Sequence, residues 1–174
     1  MNKLALLCNG KLEKMDQATA LYAAKLVQSN YRFTPDIDII LNDTEGMSLM
    51  NVFMEYETVL VLDVIGLDDT PGSIYHFPMR EFRGFDSSDN NDETGVLGCL
   101  NILESNHEVL PTVELLAIVP DAIETGIGLS PILKHAIEAY ILNIVKTVEK
   151  QGFDYEENEE TVEIATVIKN YTNK

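Results

Sequence analysis

The segment Thr58-Val-Leu-Val-Leu-Asp63-Val-Ile65 constrains the fold of this chain more than any other, because it is a strand-length run that is apolar on both faces apart from Asp63. A strand of that kind belongs in the middle of a mostly parallel sheet covered by helices on both sides. A carboxylate at the end of such a strand carries a large desolvation cost unless it is paired, solvated or bound to a cation. Asp63 therefore needs a partner. It either caps backbone N–H groups of the loop that follows or faces a positive charge.

The remaining pattern supplies the neighbours of that strand. Leu4 to Cys8 is a short apolar run stopped by Asn9-Gly10, which reads as a buried strand entering a loop. Asp16 then caps a helix carrying Ala20, Leu21, Ala24 and Val27 on one face. A second strand is expected over 37–41, a short helix over 46–53, and an edge strand over 73–77 after the turn Asp68-Asp69-Thr70-Pro71-Gly72. The polar stretch 85–93 reads as a loop, 95–104 as a helix and 113–119 as the last buried strand. From Ser130-Pro131, the positions Leu133, Ala136, Ile137, Tyr140, Ile141, Ile144, Val145 and Val148 predict a long amphipathic helix stopped at Gly152. Strands alternating with helices imply a three-layer α/β/α sandwich around a mostly parallel, roughly five-stranded twisted sheet. The expected division is an α/β domain over residues 1–151 and an acidic C-terminal appendage with little core over 152–174. Ligands of such sheets gather at the carboxyl ends of the strands, where Asn9-Gly10, Asp63 and Asp121 all lie.

Charge narrows the partners. Twenty-nine acidic against twelve basic residues give a formal net charge of -17, which repels phosphate backbones and anionic headgroups. Nucleic acid and membrane surfaces are thereby disfavoured, and a basic protein segment is easier to attract. Cys8 and Cys99 each lie inside apolar runs and read as buried thiols, which leaves no disulfide framework or zinc motif. The N-terminal apolar run is too short for a signal peptide, and a cytoplasmic location is expected.

Taken in order and spacing, Asp43-Thr44-Glu45-Gly46-Met47-Ser48-Leu49, Val-Leu-Val-Leu-Asp63, Thr70-Pro71-Gly72-Ser73-Ile74-Tyr75 and Pro120-Asp121-Ala122-Ile123-Glu124-Thr125-Gly126-Ile127-Gly128-Leu129-Ser130-Pro131 resemble the nickel–iron hydrogenase maturation endopeptidases. The resemblance runs over roughly residues 3–150. It implies an α/β/α endopeptidase that recognises nickel already inserted in the precursor of a hydrogenase large subunit and removes a short C-terminal peptide from it. The metal then belongs to the substrate, and no cofactor of the protein's own is expected.

Three side chains of that family meet the metal: an acidic residue at the start of the first helix, an aspartate ending the third strand and a histidine after the long loop. Asp63 matches the aspartate directly. The first-helix position follows Asp16 and is Gln17, an amide in place of a carboxylate, and the preceding turn reads Cys8-Asn9-Gly10-Lys11, with one family glycine kept and its asparagine lost. For the histidine, one register selects His107, but leaves no room for the helix before 113–119. The other aligns Asp92-Glu93-Thr94-Gly95-Val96 with the family motif and puts Asp92 there. The resemblance thus implies Gln17, Asp63 and Asp92 as contacts for substrate-borne nickel, with His107 as the alternative to Asp92, and Asp63 and Asp16 as catalytic carboxylates. An oxygen-rich set of this kind shifts selectivity away from nickel towards harder ions. A non-proteolytic relative that binds the precursor as an assembly factor is the alternative reading.

Overall fold

The apolar segment that had to be central is central. The computed structural model describes residues 3–42, 49–82 and 95–173, and β4 (Thr58–Val64) lies between β1 (Leu4–Asn9) and β6 (Thr112–Ile118), parallel to both. Outside β1 runs β3 (Asp38–Asn42), also parallel, and outside β6 runs β5 (Ile74–Pro78), antiparallel. The sheet order is β3-β1-β4-β6-β5. The chain leaves β1 in one direction and returns past it to β4, so the order reverses between these two strands. That reversal is where open α/β sheets form their crevice.

Alternation along the strands divides the core into two layers. Leu4, Leu6, Cys8, Leu60, Leu62, Leu116 and Ile118 face α1 (Thr19–Asn30) and α5 (Pro131–Lys150). Leu7, Val59, Val61, Leu115 and Ala117 face α2 (Leu49–Glu55) and α4 (Val96–Ser105). The short helix α3 (Met79–Phe82) follows β5. The three-layer α/β/α expectation is met. Ser130 caps α5 by accepting from the Leu133 N–H at 3.3 Å, Pro131 occupies its first turn, and Gly152 ends it at φ +95°, a conformation that favours glycine. Both cysteines are buried, and burial pushes the Cys8 thiol pKa up. Among the described residues no helix is long and apolar enough to cross a membrane.

The tail is a correction. Residues 152–174 were expected to be an appendage with little core, yet Phe153 and Val167 are buried in the same cluster as α1 and α5. Strand β7 (Asp154–Glu157) pairs antiparallel with β2 (Tyr31–Thr34), a strand absent from the sequence reading, and α6 (Ile164–Thr172) packs on α1 through an edge-on contact of Tyr171 with Tyr22. Asn30 locks the end of α1 to this segment, donating to the Val162 carbonyl and accepting from its N–H. No packing boundary lies at 151/152. The stretch 85–93 and the start of the 46–53 helix lie outside the described residues.

Candidate active site

β3 and β1 finish on Asn42 and Asn9, β4 carries Asp63 one residue before its end, and the three side chains meet. Asn42 and Asn9 are paired in the β3–β1 register, while Asp63 follows Leu62, the partner of Cys8 in the β1–β4 register. Odd positions of β1 and β4 project to the α2/α4 side, so Asn9 and Asp63 share a face with Leu7 and Val61. Asn42 Nδ2 donates to Asn9 Oδ1 at 2.9 Å, and Asn9 Nδ2 donates to Asp63 Oδ2 at 3.0 Å. The other carboxylate oxygen accepts the Val64 N–H at 2.8 Å, so Asp63 does cap the backbone that follows it. A carboxylate has about four lone-pair sites, and these two bonds leave acceptor capacity on both oxygens. Burial at the strand end raises the Asp63 pKa, against the lowering effects of the Asn9 and Val64 donors. Beneath the sheet, the fully buried Tyr140 hydroxyl donates to the Leu116 carbonyl of β6 at 2.8 Å.

Asp16 corrects the expectation of a helix cap. It sits in a 3-10 turn (Met15–Ala18) ahead of α1, whose first residues receive no side-chain cap. Its carboxylate, fully buried, reaches instead across the fold to the connection between β6 and α5. Oδ2 accepts the Asp121 N–H at 3.0 Å, the Ala122 N–H at 2.8 Å and the Ser130 hydroxyl at 2.8 Å, and Oδ1 accepts the Ser130 N–H at 2.7 Å. The two segments are also joined backbone to backbone, from the Asp16 N–H to the Ala122 carbonyl and from the Met15 N–H to the Gly126 carbonyl. Both oxygens are thus committed to holding one wall of the crevice. That geometry suits a structural carboxylate and argues against the catalytic part expected of Asp16.

The same turn brings Gln17 towards the strand ends. It packs against β4, and Gln17 is half-buried on it. A β-carbon on Gly10 would lie 2.7 Å from the Gln17 carbonyl oxygen and 2.9 Å from Leu21 Cγ, so only glycine lets the end of β1 approach the turn this closely. Gly10→Ala is therefore expected to destabilise the protein by about 1–3 kcal/mol, the usual cost of overpacking against backbone. Denaturant unfolding of the variant measures it.

His107 is not part of this site. It follows α4 at φ +58°, donating its N–H to the Glu104 carbonyl at 3.1 Å while the Glu108 N–H bonds the Leu103 carbonyl at 3.1 Å. This is a Schellman-type helix end with His107 in the left-handed position. It precedes β6 and so lies towards the amino-terminal ends of the strands, opposite to Asp63 and roughly 20 Å away by the rise of a strand of this length. The helix that the preferred register required before β6 is present as α4. Asp92 lies outside the described residues, and among the described residues no three His, Cys, Asp or Glu side chains cluster to hold a metal.

Sequence reasoning placed Asn9 at a strand end as a turn marker, without pairing it to Asp63, and missed Asn42. An asparagine at the last position of a strand looks like turn punctuation, and only the β3-β1-β4 order shows that both stand beside Asp63.

Comparison with known proteins bears on the family and the fold. A family model described as hydrogenase maturation protease matches residues 21–147. The hydrogenase 2 maturation protease of Escherichia coli strain K12 is 19% identical over 147 residues, covering 83% of this chain and 90% of the relative. The hydrogenase maturating endopeptidase HybD from E. coli superposes with a TM-score of 0.80 at 19% identity, over 90% of this chain and 98% of that one. A NiFe hydrogenase maturation protease from Thermococcus kodakarensis gives a TM-score of 0.63 at 18% identity, over 86% and 98% of the two chains. At these identities the structural likenesses speak for the fold.

Proposed function

The chain belongs to the hydrogenase maturation protease family, and on that footing we propose that it removes the C-terminal peptide of a nickel-loaded hydrogenase large-subunit precursor, with Asp63 meeting the metal that the substrate carries. The observation that supports this most is the Asp63 carboxylate itself. It stands at the reversal of strand order, is held by Asn9 and the Val64 N–H, and keeps acceptor capacity on both oxygens.

The chemistry that suits such a site is metal-assisted hydrolysis. A metal at the scissile bond polarises the peptide carbonyl, and a carboxylate handles the proton of the attacking water. Gln17 would offer a neutral oxygen donor from the turn beside β4, and Asp92 an anionic one. Asp16 takes no step in this scheme, since its oxygens hold the wall.

The test is incubation of the protein with a nickel-loaded large-subunit precursor, reading the released C-terminal peptide by mass. Release is expected, and it should survive pretreatment of the protein alone with a chelator, because the metal enters with the substrate. Stable binding of the precursor without any release would overturn the protease reading in favour of an assembly factor.

A further inference from the structure

The geometry points to Asn42 and Asn9 as a directional amide relay that orients the Asp63 carboxylate, both acting as positioning residues for the cleavage proposed above. The kinetic part of this inference rests on that reading.

A primary amide presents a donor end and an acceptor end of nearly the same size, so a neighbouring network decides which way it points. Beside a carboxylate, only one orientation is favourable. With its Nδ2 towards Asp63, Asn9 makes a charge-assisted bond; turned over, it would set Oδ1 against a carboxylate oxygen. The same choice is reinforced from the other side. Asn42 Nδ2 donates to Asn9 Oδ1 at 2.9 Å, which occupies the acceptor end of Asn9 and leaves its donor end for Asp63 at 3.0 Å. The Gly10 N–H to Asn42 carbonyl bond, at 3.4 Å, ties the two strand ends together just beyond this pair. All three residues are only partly buried, so the relay contributes little to the core and its main effect falls on the direction of the Asp63 lone pairs.

A polarity reversal tests it. Asn42→Asp is close to isosteric but has no donor when ionised, so it competes with Asp63 for the Asn9 NH₂ and, in the fraction of molecules where it wins, leaves the Asn9 oxygen towards Asp63. We expect kcat for peptide release to fall about tenfold with KM within about twofold, the size of effect that one hydrogen bond to a charged group supports. In an Asn9→Leu background the same Asn42→Asp change should cost less than about twofold, because there is no amide left to turn. Asn42→Leu, which removes the donor without adding charge, should cost less than Asn42→Asp. An equal loss in both backgrounds would assign the effect to the added charge and overturn the relay, as would a fall in melting temperature that accounts for the lost rate.

A second readout needs no substrate. The Asn9 side-chain NH₂ signals in a ¹⁵N–¹H spectrum should move on Asn42→Leu and on Asp63→Ala. If they move while the wild type releases no peptide, the relay stands and the protease reading fails. If they stay in place, the relay is wrong whatever the kinetics.

Discussion

Asp16→Ala is expected to lower the melting temperature by roughly 8–16 °C, on the order of 4 kcal/mol at the 2–4 °C per kcal/mol usual for a domain of this size. The reasoning is a count of donors left without partners. Three backbone N–H groups and the Ser130 hydroxyl converge on this one buried carboxylate, and each unmade bond costs about 1 kcal/mol or more. Asp121, Ala122 and Ser130 belong to a connection that has no sheet or helix ladder of its own, so losing Asp16 also frees the wall it forms. Asp16→Asn should fall between wild type and alanine. Its amide keeps one oxygen, enough for the three donors at Oδ2, but its nitrogen then faces the Ser130 N–H. A thermal melt of the three proteins gives the order, and peptide release measured on the folded fraction separates structure from chemistry. Activity of the folded Asn variant should stay within a few-fold of wild type. An Asn variant that melts like wild type but releases no peptide would return Asp16 to a catalytic role.

The contrast between Asp16 and Asp63 shows which parts of the molecule local sequence could reveal. Asp63 was legible because burial of a charge inside an uninterrupted apolar strand violates a strong rule, β1, β4 and β6 because they are nearly continuous apolar runs of strand length, and α5 because its apolar positions repeat at the helical period over enough residues. Asp16 carries the same letter as an N-cap and stands where one should be. Its actual partners lie more than a hundred residues away, and no local pattern encodes that reach. The tail was misread for a related reason. Phe153 is a single buried anchor ahead of Asp154, Glu156, Glu157, Glu159, Glu160 and Glu163, so charge dominates the stretch that follows it and masks the apolar face of Ile164, Val167 and Ile168 beyond. Strand β2 is four residues long and follows α1 without a turn residue, so it offered neither length nor punctuation. The relay residues needed the strand order, which follows from three-dimensional pairing alone.

Asp63→Asn is expected to cut peptide release by at least about a hundredfold, the upper end of what losing even an outer partner of a metal ligand costs, while the protein still folds. The stability consequence has a definite sign. Burial raises the Asp63 pKa above its ordinary value, so the folded protein holds this proton at pH values where the unfolded chain has released it. Stability from this group is then greatest in acid, falls as pH rises from the ordinary carboxylate range through the folded pKa, and is lowest once both states are ionised. The Asn variant has nothing to titrate at this position. Whatever offset arises from its altered hydrogen bonds to Asn9 and Val64, the melting temperature of Asp63→Asn minus that of wild type should increase with pH between the acid range and neutrality. Parallel melts of the two proteins across that range measure the difference directly. A difference that stays flat would mean that the Asn9 and Val64 donors fully offset burial, and a difference that falls with pH would mean that they outweigh it. The expected rise identifies Asp63 as a charge the fold holds at a cost to its own stability, which is the condition a carboxylate must meet if it waits at a strand end for a cation that only the substrate supplies.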